Sequence, residues 1–468
     1  MFKNINIHRI LLSILIVFIP LYPKFPLLSV KGTYVAIRFD DIVVAACLLT
    51  WLIFQIKNHF PVFKYKITPL FIAYFIAIIL STLNAILIYQ TGRSSILILN
   101  TFRRFEYISL FFITLEAIKT KKDFLYPYLF SLLALVGIAI YGYGQKYLSF
   151  PVISTMNEEF SKGQLLQVSV WTRISSTFAG HYDLAAYLSL VLIVILAVAL
   201  ISKNIKLKII SFILFLIGFH LLTLTASRIS IFAFWGSATI CLILLRKYLW
   251  VIPLFILIIF SFINSKDLNQ RLLATLKIIN LKTTSTTVST PSPIPTISPI
   301  PTTTAIIPPT KGGVVAYVTP IPTIFRHQSP DEFIPINADA VVARSGEIRF
   351  NVEWPRAITA FRKNPLLGTG LGSITLATDN DYLRFLGESG LLGFFTFSVI
   401  FIYLFIKSLP FIIKRKTDLY SQLPLIFFSV MICIWSNAIF IDIFEASKVA
   451  YPIWILMALY YQSLTLKK

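Results

Sequence analysis

The residues best placed to do chemistry in this chain are a few arginines, one acid and one histidine, each beside a long apolar run. Arg228, in LTASRIS, stands at the end of such a run next to Ser227 and Ser230, with no acid nearby in sequence. An ionisable group at membrane depth is costly and usually functional, although a guanidinium at an interface can also simply snorkel to water. Arg349, in RFNVEWPRA, lies five residues before Trp354, and Arg344 and Arg356 are near enough to share its role. A surface helix carries arginine on its wet face in any case, so both readings stand. Asp379, in TDNDYL, is a general base if burial raises its pKa, or else an N-cap, with Asp379 or Asp381 starting the helix that follows. His181, in TFAGHYDLAAYL, is an alternative base or an interfacial histidine at a helix start. Arg103, Arg104 and Glu106, in FRRFEY, read as an internal ion pair that fixes packing or as a contact to lipid phosphate.

Most of these residues fall in the stretch 344–393, RSGEIRFNVEWPRAITAFRKNPLLGTGLGSITLATDNDYLRFLGESGLLG. Trp354, Ala357, Ile358 and Phe361 share one face of an amphipathic helix there. The turn from Pro365 to Gly372 ends it, because proline cannot continue a helix and glycine permits left-handed backbone. Asp379, Asn380 and Asp381 then open a second helix with the acidic first turn that an N-terminus prefers.

The order Arg…Trp…Ala…NPLLGxGxG…NDYL…ExGLLG resembles the O-antigen ligase and polymerase superfamily of bacterial envelope glycosyltransferases. Proteins of that superfamily carry this segment at the end of a large outward loop that leads into a late membrane helix. Its ligases have His, then Asn, Ser or Gln, then nine residues and Gly-x-x-Gly. Here Asn380, residues 381–389, Gly390 and Gly393 fit, and Asp379 stands where the His should be. The resemblance implies a polyprenyl-diphosphate-linked glycan as donor, transferred with inversion to an acceptor that is a lipid core, another repeat unit or a protein. It implies that Arg228 and Arg349 match the family's functional arginines, and that Asp379 replaces the His as base. Arg344, Arg356, His181, Asn380 and Arg104 are then the expected substrate-binding residues. Guanidinium forks would hold the pyrophosphate bidentately and stabilise the leaving diphosphate, with no metal or cofactor expected. No His/Cys cluster argues for one.

The elements that must position these groups are membrane helices. The chain is 57% hydrophobic and only 13% charged, against about 25% charge in ordinary soluble domains. Its net charge of +22 sits in short clusters between apolar runs, which encodes membrane topology rather than nucleic-acid binding. Cys47, Cys241 and Cys433 fall inside apolar runs and point to no disulfide or metal site. The N-terminal apolar run lacks a small-residue cleavage site and reads as a retained first span. About twelve spans are expected, at 10–30, 41–56, 67–90, 96–118, 124–147, 183–202, 207–226, 229–246, 249–264, 382–406, 421–440 and 447–464. With the N-terminus cytoplasmic, basic residues collect on alternate turns: Lys57, Lys64 and Lys66; Lys119, Lys121 and Lys122; Lys203, Lys206 and Lys208; Arg246 and Lys247; Lys407, Lys414, Arg415 and Lys416.

The expected fold is therefore an all-α polytopic membrane protein of a bacterial cytoplasmic membrane, with both termini inside. Spans 1–9 occupy residues 1–264, an extracytoplasmic loop occupies 265–381, and spans 10–12 occupy 382–468. A smaller outward loop, 148–181, holds Glu158, Glu159, Trp171, Arg173 and His181. Within the large loop, 283–323 is so rich in Thr, Ser and Pro that it reads as an extended, disordered insert flanked by amphipathic helices around Leu268–Ile279 and Arg344–Lys363. A twelve-span transporter or flippase competes with this reading, but such carriers usually show two similar halves joined by a central cytoplasmic linker, and this sequence shows neither. A catalytically silent relative is the other alternative, motivated by the missing His.

Overall fold

The computed structural model describes residues 6–23, 25–29, 36–89, 94–153, 165–166, 173–264, 348–374, 377–414 and 419–466. The expected insert 283–323, the helix around Leu268–Ile279, Arg344 and the acids Glu158 and Glu159 lie outside these residues. The chain is all-α apart from two short antiparallel pairs, β1 (Pro26–Ser29) with β2 (Ala36–Arg38) and β3 (Val152–Ile153) with β4 (Leu165–Leu166).

A helix lies on each predicted apolar segment. The first nine are α1 (Ile7–Leu21), α2 (Phe39–Lys57), α3 (Thr68–Asn84), α4 (Ser94–Ala117), α5 (Leu125–Tyr147), α6 (His181–Ile201), α7 (Ile205–Leu224), α8 (Arg228–Leu244) and α9 (Val251–Asn264). After the amphipathic α10 (Trp354–Lys363) come α11 (Asp381–Lys414), α12 (Leu419–Ala438) and α13 (Ser447–Thr465). Among the described residues, 7 helices are long and apolar enough to cross a bilayer, which makes this a membrane protein. The other predicted segments fall short of that standard for visible reasons. Helices α1, α8 and α9 run 15, 17 and 14 residues. Helix α4 carries Arg103, Arg104 and Glu106 almost side by side, and α13 mixes Lys448, Tyr451, Tyr460, Tyr461 and Gln462 into its apolar residues.

Helix α6 forms the centre. Its best apolar window has a mean hydropathy of 3.0 and is 89% buried, as expected of a helix that is apolar all round. Helices α7, α8, α12 and α13 pack around it. The loop entering α6 is buried too, and its polar backbone is satisfied by side chains from other helices. Gln145 of α5 donates from Nε2 to Ser176 O at 2.9 Å and accepts the Ser176 N–H at 2.7 Å. Thr177 Oγ1 donates to Pro20 O, at the end of α1, at 2.6 Å. The ammonium of Lys448, wholly buried at the start of α13, donates to both Thr177 O (2.5 Å) and Pro20 O (3.1 Å).

The opposite ends of these helices meet as well. Asn6 donates from Nδ2 to Glu116 O at 2.9 Å, Arg9 pairs with Asp123 at 2.7 Å, and Gln462 of α13 donates to Ile118 O at 2.8 Å. The start of α1, the end of α4 and the end of α13 thus meet at one end of the bundle.

Candidate functional site

Residues 349–374 and 377–384 are folded back onto the bundle end where α6, α8 and α13 begin. A π-helical turn, Arg349–Glu353, leads into α10, and such turns frequently occur at functional positions. Ala357 is fully buried and anchors α10, while Trp354 and Phe361 are half-buried and Ile358 is exposed. The glycine turn after α10 then docks on a break in α11. Gly368 has φ +70° and Gly390 has φ +64°, ψ −169°, a region open essentially to glycine alone. A Cβ on either residue would come within 2.4 Å of backbone in the facing strand of chain, so the two glycines make this close approach possible. Four backbone bonds seal the contact: Thr369 N to Gly387 O, Gly370 N to Glu388 O, Leu391 N to Pro365 O and Leu392 N to Leu366 O.

Asp379 projects from the short segment between that turn and α11, in a left-handed conformation with φ +49°. Aspartate tolerates this better than most residues, but the conformation needs outside support. Asp442, in the turn between α12 and α13, supplies it. Its Oδ2 accepts the Thr378 N–H at 2.8 Å and its Oδ1 accepts the Asn380 N–H at 3.0 Å, so one carboxylate clasps the peptides on both sides of Asp379. Asp442 Oδ2 also accepts from Arg384 Nη1 at 2.8 Å. Arg384 in turn lies within ion-pair distance of Glu388 and Glu445, and Arg104 pairs with Glu445.

The N-cap reading of Asp379 and Asp381 is corrected by this geometry. Asn380 caps α11 instead, with its Oδ1 accepting the Leu383 N–H at 2.9 Å. Asp381 is buried and accepts the Ile443 N–H at 2.8 Å. Two of the expected substrate-binding residues are thus committed to structural partners. Asn380 is the cap, and Arg104 is buried with Nη1 donating to Phe444 O at 2.7 Å and its charge paired with Glu445, which is the internal ion-pair reading of that residue.

The remaining candidates come together. Arg349 grips Asp379 Oδ2 with two donors, Nε at 2.9 Å and Nη2 at 2.7 Å. Its guanidinium also contacts Tyr182, the second residue of α6. Arg228, the first residue of α8, feels the charges of both Arg349 and Arg173 as well as the phenol of Tyr182. Arg173 donates from Nη1 to His181 Nε2 at 2.5 Å, so that nitrogen carries no proton, and the imidazole lies tilted beside Tyr182 with ring centroids 4.1 Å apart. Arg173 and Arg349 thus lie near Arg228, with Tyr182 between Arg228 and Arg349 and the Asp379 carboxylate tied to Arg349. Arg344 lies outside the described residues.

Burial lifts the pKa of the Asp379 carboxyl above its usual range, the Arg349 guanidinium works against that, and the charge of Asp442 adds to it. Glu353, one helical turn after Arg349, is a carboxylate that sequence reasoning missed. Its Oε2 is buried with no hydrogen-bond partner among the described residues, and burial together with the charge of Asp379 pushes its pKa up to about 7. Arg356 lies close enough to Glu353 to oppose this, and its own Nη1 is buried without a hydrogen-bond partner among the described residues. Its i,i+4 spacing from Arg349 was the available signal for Glu353. Arg173, Tyr182 and Asp442 had none, because their roles depend on contacts between distant parts of the chain.

Fold and site define an α-helical polytopic membrane protein with an arginine-rich polar site at one end of its bundle. Scans against protein-family models and curated proteins find no match to this chain.

Proposed function

We propose that the protein is an O-antigen ligase-like glycosyltransferase, moving a glycan from a polyprenyl-diphosphate carrier to an acceptor at the outer face of a bacterial cytoplasmic membrane. The observation that carries this reading is the gathering of Arg173, Arg228 and Arg349 at the start of α6 and α8, with Asp379 bound to Arg349. Permanently charged forks gathered this closely can bind one multiply charged anion together, and a diphosphate is such an anion. The sidedness, the twelve spans and the large outward loop belong to the same proposal, supported by the alternating basic turns.

In this reading Asp379 is the resting counter-ion of Arg349. The diphosphate takes over the guanidinium and releases the carboxylate. An acceptor hydroxyl then attacks the anomeric carbon, the bond from that carbon to the diphosphate oxygen breaks, and the hydroxyl proton passes to the freed carboxylate. The electron pair leaves with the diphosphate, where the arginines stabilise the developing charge. Glu353 is the second carboxylate available as base, favoured by its unpartnered oxygen and by a pKa near neutrality.

The deciding experiment is reconstitution of the purified chain with a lipid-linked glycan and candidate acceptors, alongside analysis of envelope glycans in a deletion strain. Transfer that Arg228→Ala abolishes supports the proposal. A ligase defect leaves long carrier-linked polymer and a polymerase defect leaves single units. Transport of a lipid-linked substrate across the bilayer without any transfer would replace it with the carrier reading.

A further inference from the structure

At the end of the bundle remote from the arginines lies a cleft of about 650 Å³, walled by α5, α6, α7, α12 and α13. Its walls are apolar, with Val194, Val198, Leu423, Phe427, Leu456 and Leu459 among them. Its rim is not, since Lys121, Lys122 and Lys203 line it together with Asn204 and Tyr420, and among the described residues no acid does. Among the described residues none of these lysines has a carboxylate within ion-pair distance. The groove between α1 and α5 differs on this point, because among the described residues its one cation, Arg9, is neutralised by Asp123 at 2.7 Å.

We infer that this cleft seats an anionic phospholipid, with an acyl chain along the apolar walls and the phosphate among the three lysines. The volume lies within the roughly 300–1,000 Å³ of ligand clefts, and a basic rim over an apolar slot between membrane helices fits an acidic headgroup. The cleft is not a second donor site. His181 and Lys203 lie at opposite ends of α6, whose 21 residues span about 30 Å, so a diphosphate held by the arginine cluster is far from it.

The test is native mass spectrometry of the purified full chain titrated with phosphatidylglycerol and phosphatidylcholine of matched acyl chains. Wild type should retain phosphatidylglycerol about tenfold better than phosphatidylcholine. K121Q/K122Q/K203Q should remove that preference. K57Q/K64Q/K66Q, which neutralises exposed lysines at the same end of the bundle but off the cleft, should leave it intact. Equal retention of the two lipids by wild type, or equal losses in the two triple variants, overturns the inference. So does displacement of phosphatidylglycerol by glycerol phosphate, which would mark a bare anion site, or by polyprenyl phosphate, which would mark a carrier site.

Discussion

At the scale of single residues, the question is which carboxylate takes the acceptor proton. Removing a general base costs about 10²–10⁴-fold in rate. Asp379→Asn should lower kcat by that much if Asp379 is the base, and Glu353→Gln should lower it by less than about tenfold. The reverse ranking in initial-rate assays of the two variants would assign the role to Glu353. The pH profile gives a second readout. If Glu353 is the base, its pKa of about 7 leaves it protonated and idle below neutrality, so kcat/KM climbs with pH, levels off above about 7 and loses that limb in Glu353→Gln. If Asp379 is the base, Glu353→Gln leaves the profile unchanged. The same raised pKa acts on folding: between the usual glutamate range and about 7 the folded chain keeps a proton that the unfolded chain has lost, so stability falls as pH rises through this window. Arg349→Lys tests the other partner. It keeps the charge and loses the fork that holds Asp379 at two points, so kcat/KM should drop roughly 10- to 100-fold with the fold intact. Arg228, Arg349 and Asp379 were legible in the sequence because each is a charged residue beside an apolar run or within a compact motif. Their partners were not. Arg173 and Tyr182 precede Arg349 by more than 160 residues, and only the docking of the Arg349–Glu353 turn at the start of α6 brings Tyr182 to it.

At the scale of elements, the glycine turn and the Asp442 clasp aim the site. Gly390→Ala places a Cβ against the Leu366 carbonyl in a backbone region that alanine avoids, and should cost about 2–5 kcal/mol. Gly236→Ala, inside α8 with no heavy atom within 4 Å of the new Cβ, should be neutral or stabilise by up to about 1 kcal/mol. Thermal unfolding of the two variants in detergent checks the contrast. Asp442→Asn leaves Arg384 short of a buried partner and should destabilise by about 3 kcal/mol. The turn at Pro365 to Gly372 could be read from its residue types because glycine and proline act locally. The helix start at 381 could not be read correctly, since three adjacent residues can all serve as N-cap. What decided for Asn380 was Arg349, which holds the Asp379 carboxylate, and Ile443, which holds that of Asp381 from about 60 residues away.

At the scale of the whole molecule, apolar length placed every helix of the bundle, while its central one was recognisable only by being apolar all round. Sidedness is open to a direct test. In a chain with Cys47, Cys241 and Cys433 replaced by alanine, a single cysteine at the exposed Ala377 should react with a membrane-impermeant thiol reagent in intact cells. One placed at Lys122 should react only after the membrane is opened, and the opposite pattern would invert the topology. Lys448 adds a constraint on how such a bundle is made. The carbonyls that its ammonium grasps belong to residues 428 and 271 positions earlier in the chain. During synthesis those carbonyls must wait, unlatched, until α13 leaves the ribosome. Closure of this end is therefore a late event in biogenesis, and a chain stalled before α13 would present an unfinished interior to quality-control proteases.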